Sequence, residues 1–426
     1  MTASIHQTEQ LLFTVLLQLI VMIGAARVMH TLFRRIGQPG VVGEIVAGLL
    51  LGPSLFGHFF PEVSAAIFGA KPQPAVTVLS QIGLILLMFQ IGSSFEFGRL
   101  RAPRLRGMVL FVAATSILAP FAVGFGIGRL SAATLAPGID PLVYSLFCGV
   151  AVAITAVPIL GRILSEYGLT RTEVGIVAIS AAAVNDVVGW VLLACISAFA
   201  VAQLSGQYLL IHLGGLVLFL LALRFVGPVL ADHIAARFPV TDGHLPPNLL
   251  AILLALMFTL AICTYALGIF AIFGRFAAGL LFHRNHALVE AWERQVGQFV
   301  LVFFLPIFFT FTGLRTNLLG LSTGPELFWL IAVCAAAILA KVVPVYLAGR
   351  ANGLPHHDSL ILGTLMNTRA LMELIVLNIG YDLGFLPKSM FTILVVMAVV
   401  TTVMTGPLLR ILLAPSRHNA SNRAQA

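Results

Sequence analysis

Apolar runs of eighteen residues or more recur along the whole chain, divided by short stretches that carry Gly, Pro and charge. A helix of that length crosses a hydrocarbon core of roughly 30 Å, and the pattern lacks the ten-residue alternation of a membrane β-barrel. Reading the runs against their breaks predicts thirteen spans, at 11–29, 41–58, 75–94, 107–129, 142–164, 174–203, 207–230, 247–267, 269–282, 298–315, 326–349, 358–381 and 390–414. The expected fold is an all-α polytopic membrane protein of about 13 transmembrane helices. Residues 1–414 form its membrane domain and 415–426 a short tail.

Two segments are echoed seven spans later. Gly43-Glu44-Ile45-Val46-Ala47-Gly48-Leu49-Leu50 in span 2 matches Gly274-Arg275-Phe276-Ala277-Ala278-Gly279-Leu280-Leu281 in span 9. Ile91-Gly92 with the following Arg99-Leu100-Arg101 matches Thr312-Gly313-Leu314-Arg315, at the ends of spans 3 and 10. An odd offset inverts the second copy across the membrane, which is the inverted-repeat architecture of many secondary transporters. Recurring small residues in packed membrane helices are the plainer explanation. Two interruptions keep the same offset. Pro158 in Ile154-Thr155-Ala156-Val157-Pro158 removes a backbone donor within span 5, and Asn367-Thr368-Arg369 puts three polar residues into span 12. Span 5 reads equally as a Pro kink or an unwound site, whereas span 12 demands a buried polar partner.

Composition agrees with the pattern: 59% of residues are hydrophobic and 9% charged, with mean hydropathy +1.04, where a soluble chain carries about a quarter charged residues. The formal charge of +8 reports topology. Of the 24 Lys and Arg residues, Lys71, Arg129, Arg315 and Lys388 fall on one side, Lys341 and Arg369 lie within spans, and the others fall on the opposite side. The positive-inside rule then puts the N-terminus outside and the C-terminus in the cytoplasm, in a plasma (inner) membrane. No soluble domain presents a basic face, so nucleic acid is not an expected partner. The first apolar run lacks a basic start and a small-residue cleavage site, and is expected to be a permanent span. Cys148, Cys195, Cys263 and Cys334 are scattered through spans without metal-ligand spacing. With no Gly-rich phosphate loop, nucleophile constellation or metal motif, neither an enzyme nor a cofactor is expected. His356-His357-Asp358 reads as a solvated turn before a zinc site.

Asp186 stands within the apolar run from Val174 to Val201, beside Asn185 and with no other ionisable residue along it. A carboxylate at the centre of a span costs about 2.5–3.5 kcal/mol on insertion scales and is tolerated where it meets a polar cavity or a partner. Lys341 is similarly isolated in Ile338-Leu339-Ala340-Lys341-Val342-Val343, too deep for easy snorkelling. Arg369 and Glu373 are four apart, the spacing of a helical ion pair. Glu44 lies near a helix start, where helix-end stabilisation, packing and ion passage are all open.

Val41 through Pro53, Thr155-Ala156-Val157-Pro158-Ile159-Leu160, Val184-Asn185-Asp186, Phe304 through Phe309 with Gly313-Leu314-Arg315-Thr316-Asn317, and Met366-Asn367-Thr368-Arg369-Ala370-Leu371-Met372-Glu373-Leu374 together resemble the monovalent cation/proton antiporter superfamily. The branch is that of plant cation/proton exchangers and Kef-type proteins. The resemblance runs from about residue 12 to 413 and implies thirteen helices, a dimerisation part, and an ion-binding core with two crossed discontinuous helices. It implies that Asp186 is the ion-binding carboxylate and Asn185 its neighbour, that Thr155 is the polar residue of the first broken helix, and that Lys341, Arg369 and Glu373 are core charges. It also implies a homodimer in the lipid bilayer. The nucleotide-binding domain of Kef-type relatives and the long hydrophilic tail of plant exchangers have no counterpart in the sequence, so ligand gating within this chain is not expected.

The chemistry of the residues agrees. A hard monovalent cation takes oxygen ligands, which Asp186, Thr155, Asn185 and freed carbonyls supply. The expected function is secondary active exchange of K⁺ or Na⁺ for H⁺. The alternatives are a channel-like K⁺ efflux protein needing a partner subunit, or a non-transporting membrane sensor on the same fold.

Overall fold

A computed structural model describes residues 2–69, 74–94, 103–202, 206–267, 271–322 and 324–424. Lys71, Arg99 and Arg101 of the charge pattern lie outside the described residues.

The helices follow in order as α1 (Thr2–Arg35), α2 (Gly40–Leu50), α3 (Phe56–Phe59), α4 (Pro61–Phe68), α5 (Pro74–Ser93), α6 (Pro103–Leu135) and α7 (Pro141–Ala153). Next come α8 (Val157–Glu166), α9 (Glu173–Ala202), α10 (Gly206–Phe225), α11 (Gly227–Arg237), α12 (Pro247–Ala266) and α13 (Ala271–Phe282). The last are α14 (His286–Trp292), α15 (Leu305–Arg315), α16 (Gly324–Ala351), α17 (His356–Met366), α18 (Leu371–Asp382) and α19 (Lys388–Ala424). Two π-helical turns, Glu293–Gly297 and Val300–Phe304, separate α14 from α15.

Each expected span falls on helical chain, but the count of thirteen is not confirmed. Among the described residues nine helices are long and apolar enough to cross a membrane, or up to eleven if two pairs bent by 42° and 43° each count as one span. The shortfall lies at spans 2 and 9, which are the helices α2, of 11 residues, and α13, of 12. At 1.5 Å per residue α2 is about half the required length, and α13 adjoins residues outside those described. Arg275, counted above with the loop arginines, is instead buried on α13 and donates to the Gln81 carbonyl at 3.4 Å.

The chain forms two compact units. The first contains Met1–Ala25, Phe56–Glu96 and Trp190–Phe311; the second contains Ala26–Leu55, Phe97–Gly189 and Thr312–Ala426. Within each unit the echoed glycines make one kind of contact. In the first, α13 and α5 approach so closely that a Cβ on Gly279 would overlap the Phe89 carbonyl, and one on Gly92 the Phe276 carbonyl. In the second, a Cβ on Gly313 would overlap the Gly48 carbonyl, and one on Gly52 the Gly313 carbonyl. The partners are therefore exchanged: Gly279 and Gly92 in one unit, their counterparts Gly48 and Gly313 in the other. Chance recurrence of small residues does not generate such a pairing, whereas an inverted repeat does. Gly313→Ala is expected to destabilise the protein by about 1–3 kcal/mol, because the clash is with backbone. Gly24→Ala, with nothing within 4 Å of the added carbon, serves as the neutral control. Equal thermal stability of the two variants would refute the contact.

Candidate functional site

The second unit carries two helices that stop and restart. Helix α7 ends at Ala153, after which Ile154 (φ −68°, ψ 143°) and Ala156 (φ −89°, ψ 101°) are extended. Pro158 sits in the first turn of α8. Lacking an N–H, proline is well placed at a helix start, and here it opens a new helix instead of bending an old one. The second interruption, Asn367 to Ala370, separates α17 from α18. Ala370 takes φ +64°, a left-handed conformation that costs a non-glycine residue about 1 kcal/mol or more and marks a backbone held by its surroundings.

The two breaks meet. The Ala156 amide donates to the Thr368 carbonyl at 3.1 Å, and Thr155 Oγ1 donates to the Met366 carbonyl at 3.3 Å. Helix α19 holds the second break from another direction: the Arg369 amide donates to Thr402 Oγ1 at 3.3 Å, Thr368 Oγ1 to Thr405 Oγ1 at 3.5 Å, and Asn367 Nδ2 to Met404 Sδ at 3.6 Å. This is the buried polar partner that Asn367-Thr368-Arg369 requires.

Interrupting a helix inside the protein leaves its last carbonyls without intrahelical donors, and the negative end of the helix dipole favours cations there. Both functions fall to Lys341 and Arg369. Lys341, fully buried on α16, donates from Nζ to Ala153 O at 2.5 Å and to Ser116 O at 2.7 Å. Arg369 donates from Nη1 to Val152 O and from Nη2 to Ala337 O, the latter at 3.1 Å. The C-terminal end of α7 is thus capped by two cations from distant parts of the sequence.

Asp186 is 1% exposed on α9, and the positive start of α8 faces it. The Val157 amide and the Lys341 ammonium both act on its carboxylate, and no other group among the described residues donates to its oxygens. Asn185, beside it, contacts Ser116 Oγ at 2.8 Å with either amide orientation. One orientation also directs Nδ2 to Thr155 Oγ1 at 3.3 Å; the other gives the amide nitrogen to the Ala181 and Ala113 carbonyls. Asn185, Thr155 and Lys341 therefore converge around Ser116 and the first break. Ser116 itself escaped the sequence reading, although Thr115-Ser116 is a hydroxyl pair inside an apolar run. Thr402 and Thr405 were missed for the same reason.

Glu373 lies in the first turn of α18, fully buried, with both carboxylate oxygens unpartnered. Arg369 and Lys341 are the charges that stabilise it. The four-residue spacing does not make a helical ion pair with Arg369, because Arg369 precedes the helix and its guanidinium is engaged by carbonyls. Glu44 is a structural tie: it accepts from Arg27 Nη2 at 2.7 Å and lies 2.8 Å from His30 Nδ1, joining α1 to α2. His356 pairs with Tyr346 Oη at 2.8 Å, and His357 reaches the Leu412 carbonyl.

The chain is similar to known proteins. The chain is 37% identical to the Na(+)/H(+) antiporter NhaS4 of Synechocystis sp., over 93% of its own length and 96% of that relative. It is 34% identical to Cation/H(+) antiporter 18 of Arabidopsis thaliana, over 94% of its length and 49% of the relative. With K(+)/H(+) antiporter 1 of Saccharomyces cerevisiae the identity is 30%, over 89% and 44%. The chain thus spans nearly all of the cyanobacterial relative and about half of the plant and yeast ones. The sodium proton antiporter MjNhaP1 from Methanocaldococcus jannaschii superposes with a TM-score of 0.60 over 95% of this chain and 97% of that one, at 17% identity, and so shares the fold. The family model for the transmembrane part of sodium/hydrogen exchangers matches residues 19–414. The protein is a multi-pass integral membrane protein, and it belongs to the sodium/hydrogen exchanger family.

Proposed function

We propose that this protein is a secondary active antiporter that exchanges K⁺ or Na⁺ for H⁺, and that Asp186 is the group for which the two ions compete. One observation carries the reading: a fully buried carboxylate with no side-chain hydrogen bond among the described residues, facing the start of α8 where two interrupted helices meet. A negative charge so placed is costly unless something neutralises it, and a proton or a monovalent cation does so interchangeably. Thr155, Asn185 and nearby backbone carbonyls supply further oxygens of the hard type such a cation prefers. Lys341 and Arg369 hold the backbone ends in place, so the interrupted helices present fixed dipoles to the ion. Antiporter names among the relatives with both Na(+)/H(+) and K(+)/H(+) exchange support the reaction class and both cations. The arginine-rich face is cytoplasmic in this reading, with the N-terminus outside, and the working form is a homodimer in the plasma (inner) membrane.

Competition for one carboxylate has a kinetic signature. In proteoliposomes the cation half-saturation should rise as pH falls, approaching about tenfold per pH unit on the acid side, while the maximum rate falls away on both sides of an optimum. A half-saturation that stays flat from about pH 6 to 9 would mean that protons and cations use separate sites.

A further inference from the structure

Away from the ion site, the second unit has a cavity of about 600 Å³ between the turn after α1, the C-terminal end of α8, and the Arg410–Leu413 stretch of α19. Volumes of roughly 300–1,000 Å³ are typical of small-ligand sites. Arg34, in the last turn of α1, and Arg410, on α19, both line it. Arg410 is fixed there by donating from Nη2 to the Gly37 carbonyl. Gly37 makes this possible: its φ is +72°, and its missing side chain leaves the space the guanidinium occupies. Arg34 makes no hydrogen bond or ion pair with another described side chain. Two arginines thus line one recess from different helices, one of them without a described side-chain partner, and guanidinium groups are donors suited to phosphate oxygens.

The cavity also contains acceptors. Gln38 gives its Nε2 to the Val403 carbonyl at 3.2 Å, leaving Oε1 buried without a partner. The Glu166 carboxylate lines the same space, held loosely by Arg162 at 3.9 Å. Acceptors beside guanidinium groups match hydroxyl donors carried on the same ligand as the phosphate. The cavity lies at the end of two membrane spans, Glu9–Arg35 and Lys388–Leu413, and Leu32, Ile36 and Ile411, within two residues of its lining along the chain, are 48%, 58% and 68% exposed. Apolar side chains at a span end beside a polar recess suit acyl chains beside a headgroup.

The geometry points to a binding site for a hydroxylated phosphate ester, with Arg34 and Arg410 on the phosphate and Gln38 and Glu166 on the hydroxyls. Such a group is supplied by an anionic polyol phospholipid such as phosphatidylglycerol, or by a soluble polyol phosphate. This site is independent of the exchange mechanism.

The test uses full-length protein in detergent micelles, titrated with phosphatidylglycerol, with phosphatidylserine of the same charge, or with soluble glycerol 3-phosphate, and followed by thermal shift and by native mass spectrometry. Phosphatidylglycerol should bind more tightly than phosphatidylserine, and Arg34→Gln should weaken it about tenfold, equivalent to 1.4 kcal/mol. Arg34 supports no other described contact, so this variant folds, while Arg410→Lys retains the charge and is expected to retain part of the affinity. Binding of glycerol 3-phosphate with the same Arg34 dependence would assign the site to a soluble ligand. Equal binding of the two lipids, or lipid binding unchanged in both Arg34→Gln and the Arg34→Gln/Arg410→Gln double variant, overturns the proposal. Cation-driven proton flux without added anionic lipid checks the antiport reading separately.

Discussion

Asp186→Asn should reduce cation-driven proton flux to the level of empty vesicles while leaving the protein folded. The amide preserves the shape of the carboxylate but can neither take up a proton nor neutralise a cation. The remaining amide oxygen can still accept from the Val157 amide that acts on the carboxylate, and no other described donor is lost. Removing the buried carboxylate should instead raise stability, by about 1–3 kcal/mol, because the desolvation of that group is no longer a cost. A melting curve on the purified variant and a proton-flux assay on the same preparation separate the two effects. Appreciable coupled exchange by Asp186→Asn would remove this residue from the ion path.

Arg369 and Glu373 should behave very differently from one another. Arg369→Gln leaves the Val152 and Ala337 carbonyls without their donors and removes a cation from the end of α7, and is expected to cost about 3–5 kcal/mol. Glu373→Gln breaks no hydrogen bond, and its loss should stay near 1 kcal/mol. If the two were simply an ion pair, neutralising both would restore what the single changes lost. Because the arginine is bonded to carbonyls, Arg369→Gln/Glu373→Gln is expected to recover only the part of the loss due to Glu373 losing a countercharge, and to stay well below the unmodified protein. Full recovery in the double variant, measured by thermal denaturation, would reinstate the ion pair and overturn the capping role.

Much of this architecture was legible in the chain because a membrane penalises every buried polar atom. Asp186, Lys341 and Asn367-Thr368-Arg369 stand out against apolar runs, and their isolation alone marks them as sites that must be accommodated. Pro158 signalled the first break, and the seven-span echo signalled the repeat. What escaped were the partners. Ser116, Thr402 and Thr405 carry hydroxyls, which any membrane helix absorbs by bonding to its own preceding turn, so nothing in their composition separates a silent hydroxyl from one that holds a neighbouring break. The spacing of Arg369 and Glu373 misled for a related reason: i,i+4 geometry presumes a continuous helix, and Ala370, at φ +64°, interrupts it. Spans 2 and 9 fall on shorter helices than hydropathy alone expects, because hydropathy reports how apolar a segment is, whereas helix length depends on where the chain turns.

The exchanged glycine contacts also bear on how the protein is made. Helix α2 belongs to the second unit, but its partner Gly313 and the adjoining bond from Ser54 Oγ to Thr316 O close a loop of 262 residues in sequence. A ribosome delivers these segments to the membrane far apart in time, so during most of synthesis the narrow face of α2 has only lipid or a transient companion against it. Closure of such a long loop comes late, and until then the nascent chain displays a short, imperfectly spanning helix of the kind that insertion machinery and membrane proteases inspect. Polypeptides terminated before Thr312 should therefore be degraded in the cell far faster than full-length chains, even though most of their helices have already been inserted.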